Sequence, residues 1–378
     1  MTDLWGGRFA EPLDEKMRRF SSSYAVDLRL AEYDLAGSKA HAHALHAAGV
    51  LDDAQLADLV SGLSQIAAEV QAGTFGPTNG ADLPEDIHSA VEARLVELCG
   101  DTGKRLHAGR SRNDQVVTDV LLWLRDASLG IETSVRGLQR ALVSLAERYQ
   151  ALVIPSYTHM QRAQPVSLGH QLMAHFEALE RDVARLADAR RRADRCPLGA
   201  GAGTGTTIPI DRRVTAARLG FSRVARNSVD AVADRDWAIE FVSACALIMT
   251  HLSRLAEELI IWSSEDFGTA HIGDAFCTGS SMMPQKRNPD AAELVRGKTA
   301  RVIGSLNTLL VLLKGLPLGY NRDLQEDKEA LFDAADTTNA ALEIMASVLD
   351  STEFRAPTTP GPDFMGATDL AEELVRRG

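Results

Sequence analysis

Five long stretches of helical hydrophobic periodicity constrain the fold of this chain more than any other feature. They cover residues 111–150, 165–194, 228–267, 290–313 and 323–349. Each is longer than the ~11–12 residues of an average globular helix, and long antiparallel helices pack as bundles. Aromatic residues make up only 5% of the chain, which favours packed helices over a β-sandwich or barrel. The sequence therefore predicts an all-α fold built on a long-helix bundle.

Shorter helical patterns precede the bundle, over residues 27–48, 52–73 and 84–99. Glycine follows the first and the last of them, which is typical of helix C-termini. The patterns predict a small N-terminal helical domain over residues 1–106 and a central long-helix bundle domain over residues 107–356.

Individual residues mark where several of these helices begin. Ser111 is expected to cap the first long helix, and Asp290 the fourth. Pro84 suits the first turn of the third short helix, and Pro165 is expected to open the second long one.

Charge and cysteine usage exclude several classes of protein. The net charge is −12 with no evident basic face, so neither nucleic acid nor an anionic membrane is an expected partner. The four cysteines form no C-x-x-C pair and are interpreted as reduced thiols of a reducing compartment. Because no stretch approaches ~18 uninterrupted apolar residues, the sequence predicts a soluble, cytoplasmic protein.

A turn-rich segment at residues 277–290 lies between two of the long helices. It carries the hydroxyls of Ser280 and Ser281, the ammonium of Lys286 and the amide of Asn288. A segment between rigid helices can carry reactive groups and close over a ligand. These donors and cations suit a carboxylate or an enolate-like dianion, although a solvated basic connector has the same composition.

A second anion site is predicted at the start of the first long helix. Arg110, Arg112 and Asn113 stand at its N-terminus, where backbone N–H groups and the helix dipole favour negative charge. An N-capped helix with solvated charges is the alternative. The glycine-rich run at residues 199–207 lacks the spacing of a phosphate-binding loop and is interpreted as an inter-helix loop, with a place beside the active site left open.

Residues 157–165 form a polar segment that is expected to link two long helices. His159 is the only side chain there that titrates near neutrality. A lone histidine is more often structural than catalytic, so its position alone raises the case for proton transfer only modestly.

The chain resembles a known superfamily of lyases. The run Gly279-Ser280-Ser281-x-Met283-Pro284-x-Lys286-x-Asn288 resembles the signature loop of the fumarase/aspartase superfamily. Within it, the residues flanking that loop and the segments 4–9, 107–115, 157–165 and 319–328 are similar to argininosuccinate lyases. The resemblance implies the reversible cleavage of argininosuccinate to L-arginine and fumarate, the last step of arginine biosynthesis, without a metal or organic cofactor.

The resemblance also implies residue roles. Ser281 corresponds to the base that deprotonates carbon, and its alkoxide needs the charge of Lys286. His159 corresponds to the partner acid or relay, and Glu293 to the carboxylate that orients it. The implied substrate contacts are Ser23, His88, Arg112, Asn113, Thr158, Asn288, Tyr320, Gln325 and Lys328. Asp86 is a further candidate, as a carboxylate for the substrate guanidinium.

These residues are widely spread along the sequence. The resemblance implies a homotetramer whose active sites are each shared by three subunits, and the apolar run at residues 306–313 needs burial. It further implies that residues 357–378 begin a small C-terminal helical domain that is largely absent from the chain.

Two other functions remain open from the residues alone. The first keeps the elimination but changes the substrate to adenylosuccinate, aspartate or malate. The second is a non-catalytic structural role, like that of the lens crystallins related to this family. Residues 285–288 and 325–328 favour argininosuccinate over the first, and the presence of Ser281, His159 and Lys286 argues against the second.

Overall fold

Helices dominate the computed structural model of the chain, which describes residues 11, 13–76, 84–357 and 364–378. In chain order the helices are α1 Glu15–Ser21, α2 Tyr24–Asp27, α3 Ala31–Ala47, α4 Asp53–Gln71, α5 Ile87–Cys99, α6 Asp101–Arg105, α7 Arg112–Arg148, α8 Leu168–Ala193, α9 Arg212–Arg218, α10 Ser228–Ala233, α11 Asp236–Ser263, α12 Asp290–Leu313, α13 Asp327–Asp350 and α14 Ala367–Arg377. Short 3₁₀ turns add Leu28–Leu30, Asp274–Phe276 and Arg322–Glu326. The predicted all-α class is confirmed. The segment 4–9, which resembled the family, lies outside the described residues.

Short antiparallel ladders connect some of the helices. The strands are β1 Val153–Thr158, β2 Gln161–Ser167, β3 Ala270–His271, β4 Thr278–Gly279, β5 Arg287–Asn288 and β6 Glu353–Phe354. They pair as β1 with β2, β3 with β6 and β4 with β5. Two of these ladders carry candidate site segments, since β1–β2 holds the polar segment around His159 and β4–β5 closes the signature loop.

The chain forms two compact units. The first contains residues up to 126 together with 192–235 and 312–329. Its core lies among α3, α4 and α5 and includes the fully buried Leu45 and Leu59. The start of α4 follows from local sequence, because the side chain of its N-cap and that of the third helical residue form a reciprocal capping box.

The second unit contains residues 127–191, 236–311 and 330–378. Within it, side-chain contacts close a ring of five long helices. These contacts are Gln139 of α7 with Glu180 of α8 at 3.1 Å, Asp182 of α8 with His251 of α11 at 2.6 Å, Thr299 of α12 with the carbonyl of Met249 of α11 at 3.1 Å, Arg301 of α12 with Asp333 of α13 at 2.6 Å, and Ser134 of α7 with Asn339 of α13 at 2.7 Å. The predicted long-helix bundle is confirmed.

Helix α11 is the most apolar element of this ring. Its best 18-residue window has a mean hydropathy of 1.3, so by length and composition alone it qualifies as a membrane-spanning candidate. More than half of that window is buried within the protein. Phe241, Cys245 and Leu252 are examples of its buried side chains, which is the pattern expected of the central helix of a soluble bundle.

The prediction that Pro165 opens a helix is wrong. Pro165 lies in β2 opposite Pro155 of β1, and the helix begins three residues later at Leu168. Proline cannot donate a ladder hydrogen bond, so it is confined to edge positions. A two-stranded ladder consists only of edges and accommodates both prolines.

Three other predicted boundaries also shift. The pattern at 228–267 is two helices, because Asp234 has an extended backbone that ends α10. The pattern at 323–349 begins as a 3₁₀ turn and becomes α-helical at Asp327. Pro84 precedes the helix instead of opening it, since Asp86 caps α5 by accepting a hydrogen bond from the Ser89 backbone N–H at 2.6 Å.

Candidate active site

The start of α7 presents the first group of candidate residues, in the first unit. Ser111 caps the helix by accepting a hydrogen bond from the Asn113 backbone N–H at 3.2 Å. The guanidinium of Arg112 donates to Oε1 of Gln115 at 2.8 Å. Its contacts with Asp86 at 3.5 Å and Glu92 at 3.4 Å are longer. A guanidinium has five N–H donors, so Arg112 retains capacity to bind a carboxylate at this helix terminus.

The glycine-rich loop is tied to this helix start. Asp114 accepts hydrogen bonds from the backbone N–H of Gly199 at 2.9 Å and of Gly201 at 2.8 Å. It also accepts one from the Ser111 backbone N–H at 3.0 Å. The loop therefore supports the candidate anion site through a buried carboxylate, consistent with its interpretation as an inter-helix loop.

His88 lies beneath the surface in this structure, although it was predicted to contact substrate. Its side chain is 0% exposed, and Nδ1 lies 2.9 Å from Asp34 and 3.3 Å from Asp119. Burial alone lowers the pKa of a histidine, but the close carboxyl of Asp119 and the hydrogen bond to Asp34 outweigh it and raise the pKa of His88 to about 10. The imidazole is therefore a buried cation at neutral pH.

The two carboxyl groups around His88 have opposite pKa shifts. Burial raises the pKa of a carboxyl, but the hydrogen bond and charge of His88 outweigh it at Asp34 and hold its pKa well below the ordinary value. Burial and the charge of Asp34 raise the pKa of Asp119 to about 7. The buried Arg110 adds a second positive charge that acts on both carboxyls.

The same three residues have the composition of a metal-binding group. One ligand atom from each of Asp34, His88 and Asp119 lies within 4.8 Å of the others. However, His88 Nδ1 is directed at the carboxylates, and Arg110 places a further cation in the group. A histidine binds a metal only as the neutral imidazole, whereas His88 is held as a cation beside the two carboxyls, so the donor set fits a buried ion-pair network better than a metal site.

Further predicted contacts meet around Asp27, also in the first unit. Ser23 donates its hydroxyl hydrogen bond to this carboxylate, and the buried ammonium of Lys328 lies 3.9 Å from it. Lys328 also donates to the carbonyl of Gln325 at 3.1 Å. The ring of Tyr320 is more than a third exposed, and its pKa is raised by burial while the nearby charge of Lys328 opposes that rise.

In the second unit, Thr158 ends β1 and His159 stands at the tip of the β1–β2 hairpin. His159 and Met160 are the two loop residues, with φ of 55° and 59°. Both values lie in the left-handed region, as a two-residue type I′ turn requires, and neither residue is the glycine or asparagine that such turns prefer. Backbone strain of this kind clusters at functional sites. The imidazole of His159 is exposed to solvent at the tip of the hairpin.

The signature loop is the other candidate segment of this unit. Ser281 and Lys286 are exposed, and Ser280 turns the chain by accepting from the Met283 backbone N–H at 3.1 Å. Asn288 lies in β5 opposite Thr278.

Glu293, in the first turn of α12, is exposed. Within the described chain, no hydrogen bond or ion pair joins it to His159, so its role as the orienting carboxylate stays a prediction.

Sequence reasoning missed the buried polar residues that support these segments, namely Asp27, Asp34, Gln115, Asp119, Arg235 and Asp327. It also placed Arg110 in the anion site, whereas the structure buries this guanidinium, which donates to Oγ of Ser38 at 2.9 Å. For Asp34, Gln115 and Asp119 the signal was an acidic or amide side chain at an apolar position of a helical pattern. Asp34 precedes the buried Leu35, and Asp119 precedes the buried Val120. A buried charge needs a partner, but the sequence does not identify it.

Comparison with known proteins identifies the family to which the chain belongs. Residues 7–304 match a protein-family profile described as "Lyase". An argininosuccinate lyase of Symbiobacterium thermophilum is 53% identical over 381 positions, which cover 100% of this chain and 82% of that protein. The chain belongs to the argininosuccinate lyase family. A member from Neisseria meningitidis is 52% identical over 99% of this chain and 82% of its own length.

Solved structures agree with this family at the level of the fold. An EDDS lyase variant with bound fumarate has a TM-score of 0.80 and 29% identity, and the match covers 95% of this chain and 70% of that one. A class II fumarase from Schistosoma mansoni has a TM-score of 0.77 at 18% identity, over 89% and 78% of the two chains. The second likeness shows the shared fold alone. The predicted superfamily is confirmed, and the chain is an enzyme of the lyase class.

Proposed function

We propose that the chain carries out the reaction of its family at the residues described above: the reversible elimination of L-arginine from argininosuccinate to give fumarate. The observation that carries this is identity above 50% to argininosuccinate lyases over essentially the whole chain. The candidate site segments lie within that match. It favours argininosuccinate over the other succinyl substrates of the superfamily.

The elimination needs a base, and Ser281 is the proposed one. Its alkoxide takes a proton from the carbon next to the one that bears nitrogen, and the electron pair forms the new double bond as the C–N bond breaks. Serine is a very weak base in water, so the ammonium of Lys286 must stabilise the alkoxide. Both side chains are exposed on the signature loop. This supports the proposal that the loop becomes active only when substrate or a neighbouring surface covers it and excludes water.

His159 is the proposed acid that protonates the departing guanidino nitrogen. Its place at a strained hairpin tip supports a role that depends on orientation. Glu293 is proposed to orient the imidazole in the assembled site. In the reverse direction the two proton transfers exchange roles.

Substrate binding is proposed to divide between carboxylate and guanidinium ends. Arg112, Asn113, Thr158 and Asn288 would hold the carboxylates on the fumarate side. The remaining proposed contacts are Ser23, His88, Tyr320, Gln325 and Lys328. Because the side chain of His88 is fully buried, direct contact with substrate would require its surroundings to change, and we propose that His88 acts on substrate indirectly.

The site is proposed to be completed by assembly into a homotetramer in the cytoplasm, with each active site shared by three subunits. Support comes from apolar side chains that one protomer leaves exposed on α12, among them Leu294, Ile303, Leu310 and Val311. Exposed apolar residues grouped on one helix mark an interaction surface.

Fumarate absorbance in the presence of argininosuccinate tests the reaction. The wild-type protein should form fumarate, and Ser281→Ala should lower kcat by about 10²–10⁴-fold, the usual contribution of a general base. Ser264→Ala removes an exposed hydroxyl at the end of α11 and should leave the rate unchanged. A wild-type preparation that forms no fumarate would refute the activity, and full activity of Ser281→Ala would refute the assigned base.

A further inference from the structure

We propose that Gln115 and Asp34 are positioning residues that aim the guanidinium of Arg112 at a substrate carboxylate. The inference rests on the proposed function, because it assumes that Arg112 binds a carboxylate of the substrate. Neither residue touches substrate in this proposal. They act by fixing the orientation of the Arg112 side chain at the start of α7.

A continuous series of hydrogen bonds carries the argument. Arg112 Nη1 donates to Oε1 of Gln115 at 2.8 Å. The amide nitrogen of Gln115 donates in turn to Oδ1 of Asp34, and that carboxylate pairs with Nδ1 of His88 at 2.9 Å. The series crosses three helices, since Arg112 and Gln115 belong to α7, Asp34 to α3 and His88 to α5.

The series is buried at its deep end and partly exposed at its outer end. Asp34, His88 and Gln115 are buried, whereas the side chain of Arg112 is 24% exposed. An arginine side chain has many rotamers, and ordering it on substrate binding costs free energy. A bond to a buried amide whose other end is fixed removes part of that cost before substrate arrives.

The other contacts of Arg112 do not do this. Asp86 and Glu92 approach it at 3.5 and 3.4 Å, which is long for a charge-assisted hydrogen bond. A neutral amide is also the better anchor, because it holds the guanidinium without cancelling its charge. The anchor itself thus adds no negative charge, and an incoming carboxylate has to compete only with the longer contacts to Asp86 and Glu92.

A second glutamine of α7 provides a matched control. Gln139 is equally buried, accepts a hydrogen bond from Arg136 three residues earlier at 2.8 Å, and donates to Glu180 at 3.1 Å. Its bonding repeats that of Gln115, but no predicted site residue takes part. Gln115→Met thus removes a buried amide and its two hydrogen bonds at the candidate site, and Gln139→Met removes the same kind of amide away from it.

The test measures binding of succinate, an unreactive dicarboxylate, and of L-arginine by calorimetry on the assembled enzyme. Loss of a hydrogen bond that orients a charged group should weaken succinate binding by Gln115→Met about tenfold or more, with arginine affinity within about twofold of wild type. Gln139→Met should change neither. Because the two residues act together, the double variant Arg112→Met/Gln115→Met should bind succinate no more weakly than Arg112→Met alone.

Three other results would each refute one step of the proposal. Unchanged succinate binding by Gln115→Met, while Arg112→Met weakens it, refutes the positioning role and leaves the proposed function standing. Equal weakening of succinate and arginine by Gln115→Met also refutes it, since that indicates general loosening. If Arg112→Met binds succinate normally, the proposed carboxylate role of Arg112 fails instead.

A second variant keeps the proposal falsifiable if Gln115→Met does not fold. Gln115→Glu retains the acceptor for Arg112 but sets a carboxylate against Asp34, which breaks the series at its buried end and neutralises the guanidinium. It should weaken succinate binding by about tenfold or more as well, and normal succinate affinity in this variant would refute the proposal.

Discussion

Replacing His88 by leucine should destabilise the protein far more than the same change at a surface histidine with an equally short ion pair. His88 Nδ1 lies 2.9 Å from Asp34, and both side chains are 0% exposed. His46 Nε2 lies 2.8 Å from Asp53, whose side chain is 98% exposed. The pairs differ in burial much more than in distance, and His88 has Asp119 as a second carboxyl partner at 3.3 Å, so the comparison contrasts a buried ion network with an exposed ion pair.

The expected magnitude follows from the buried geometry. Removing one partner of a buried ion pair leaves an uncompensated charge and costs about 3–5 kcal/mol. The pKa of His88, raised from 6.5 to about 10, corresponds to about 5 kcal/mol favouring the protonated folded form, which agrees in order of magnitude. The exposed pair is worth at most about 1 kcal/mol.

The pH dependence has a definite sign. The folded state holds the His88 proton up to about pH 10, whereas the unfolded chain releases it near pH 6.5. The stabilisation is therefore complete below about pH 6.5 and is lost as the pH rises through about 10. The difference in stability between wild type and His88→Leu should shrink across that window.

Urea unfolding of wild type, His88→Leu and His46→Leu, at one protein concentration because association contributes to stability, measures these differences. His88→Leu should show a clearly lower unfolding midpoint at pH 7, with His46→Leu close to wild type. Equal midpoints for the two variants, or a pH-independent difference between His88→Leu and wild type, would show that the buried network does not stabilise the fold.

Two further predictions concern the first unit. Gly201→Ala should destabilise the protein by more than the ~1–2 kcal/mol that a left-handed conformation costs, because the new Cβ atom would lie 2.6 Å from the carbonyl oxygen of Gly205. Gly205 also has a left-handed backbone, but a Cβ atom there would meet no other atom within 4 Å. Gly205→Ala should therefore show the conformational cost alone in the same urea assay. Arg235→Met should cost about 3–5 kcal/mol by leaving the buried Asp327 without its guanidinium partner, whereas Arg213→Met at an exposed pair should cost less than about 1 kcal/mol. Equal losses within either pair of variants would contradict the reasoning.

Periodicity predicted the long helices well because each has an apolar face that local sequence displays. Helix α12 covers the predicted residues, Asp290 to Leu313, although Asp290 is its first helical residue and not the N-cap that was expected. The start of α4 was also readable, because the reciprocal cap between Asp52 and Gln55 is a local interaction. In both cases the determinants lie within a few residues of the boundary.

The hairpin around His159 was missed for a local reason as well. Its two-residue tip, His159-Met160, lacks the asparagine and glycine that make such turns recognisable. Pro165 then favoured a helix start, since proline suits both a first turn and an edge strand. The strained tip persists because surrounding structure holds it, and that support is not visible in the local sequence.

The buried network could not be predicted because its partners are distant in sequence. Asp34 pairs with His88, 54 residues away, and with Gln115, 81 residues away. Sequence reasoning placed His88 and Arg112 among the site residues by resemblance, but it treated them as independent substrate contacts. Their connection through Asp34 and Gln115 arises only when α3, α5 and α7 pack together.

The candidate residues at the start of α7 and those on the signature loop differ in how far they are buried and held in place. Arg112 is held from beneath by buried partners, so its aim is set before substrate binds. Ser281 and Lys286 are exposed in a single protomer, and in water neither a serine alkoxide nor its pairing with an ammonium is strongly favoured. Exclusion of water strengthens that pairing. If Ser281 is the base, as proposed, we expect a protomer with this solvated loop to need a second surface over it before it can catalyse, which is a physical reason for the proposed sharing of each site among subunits.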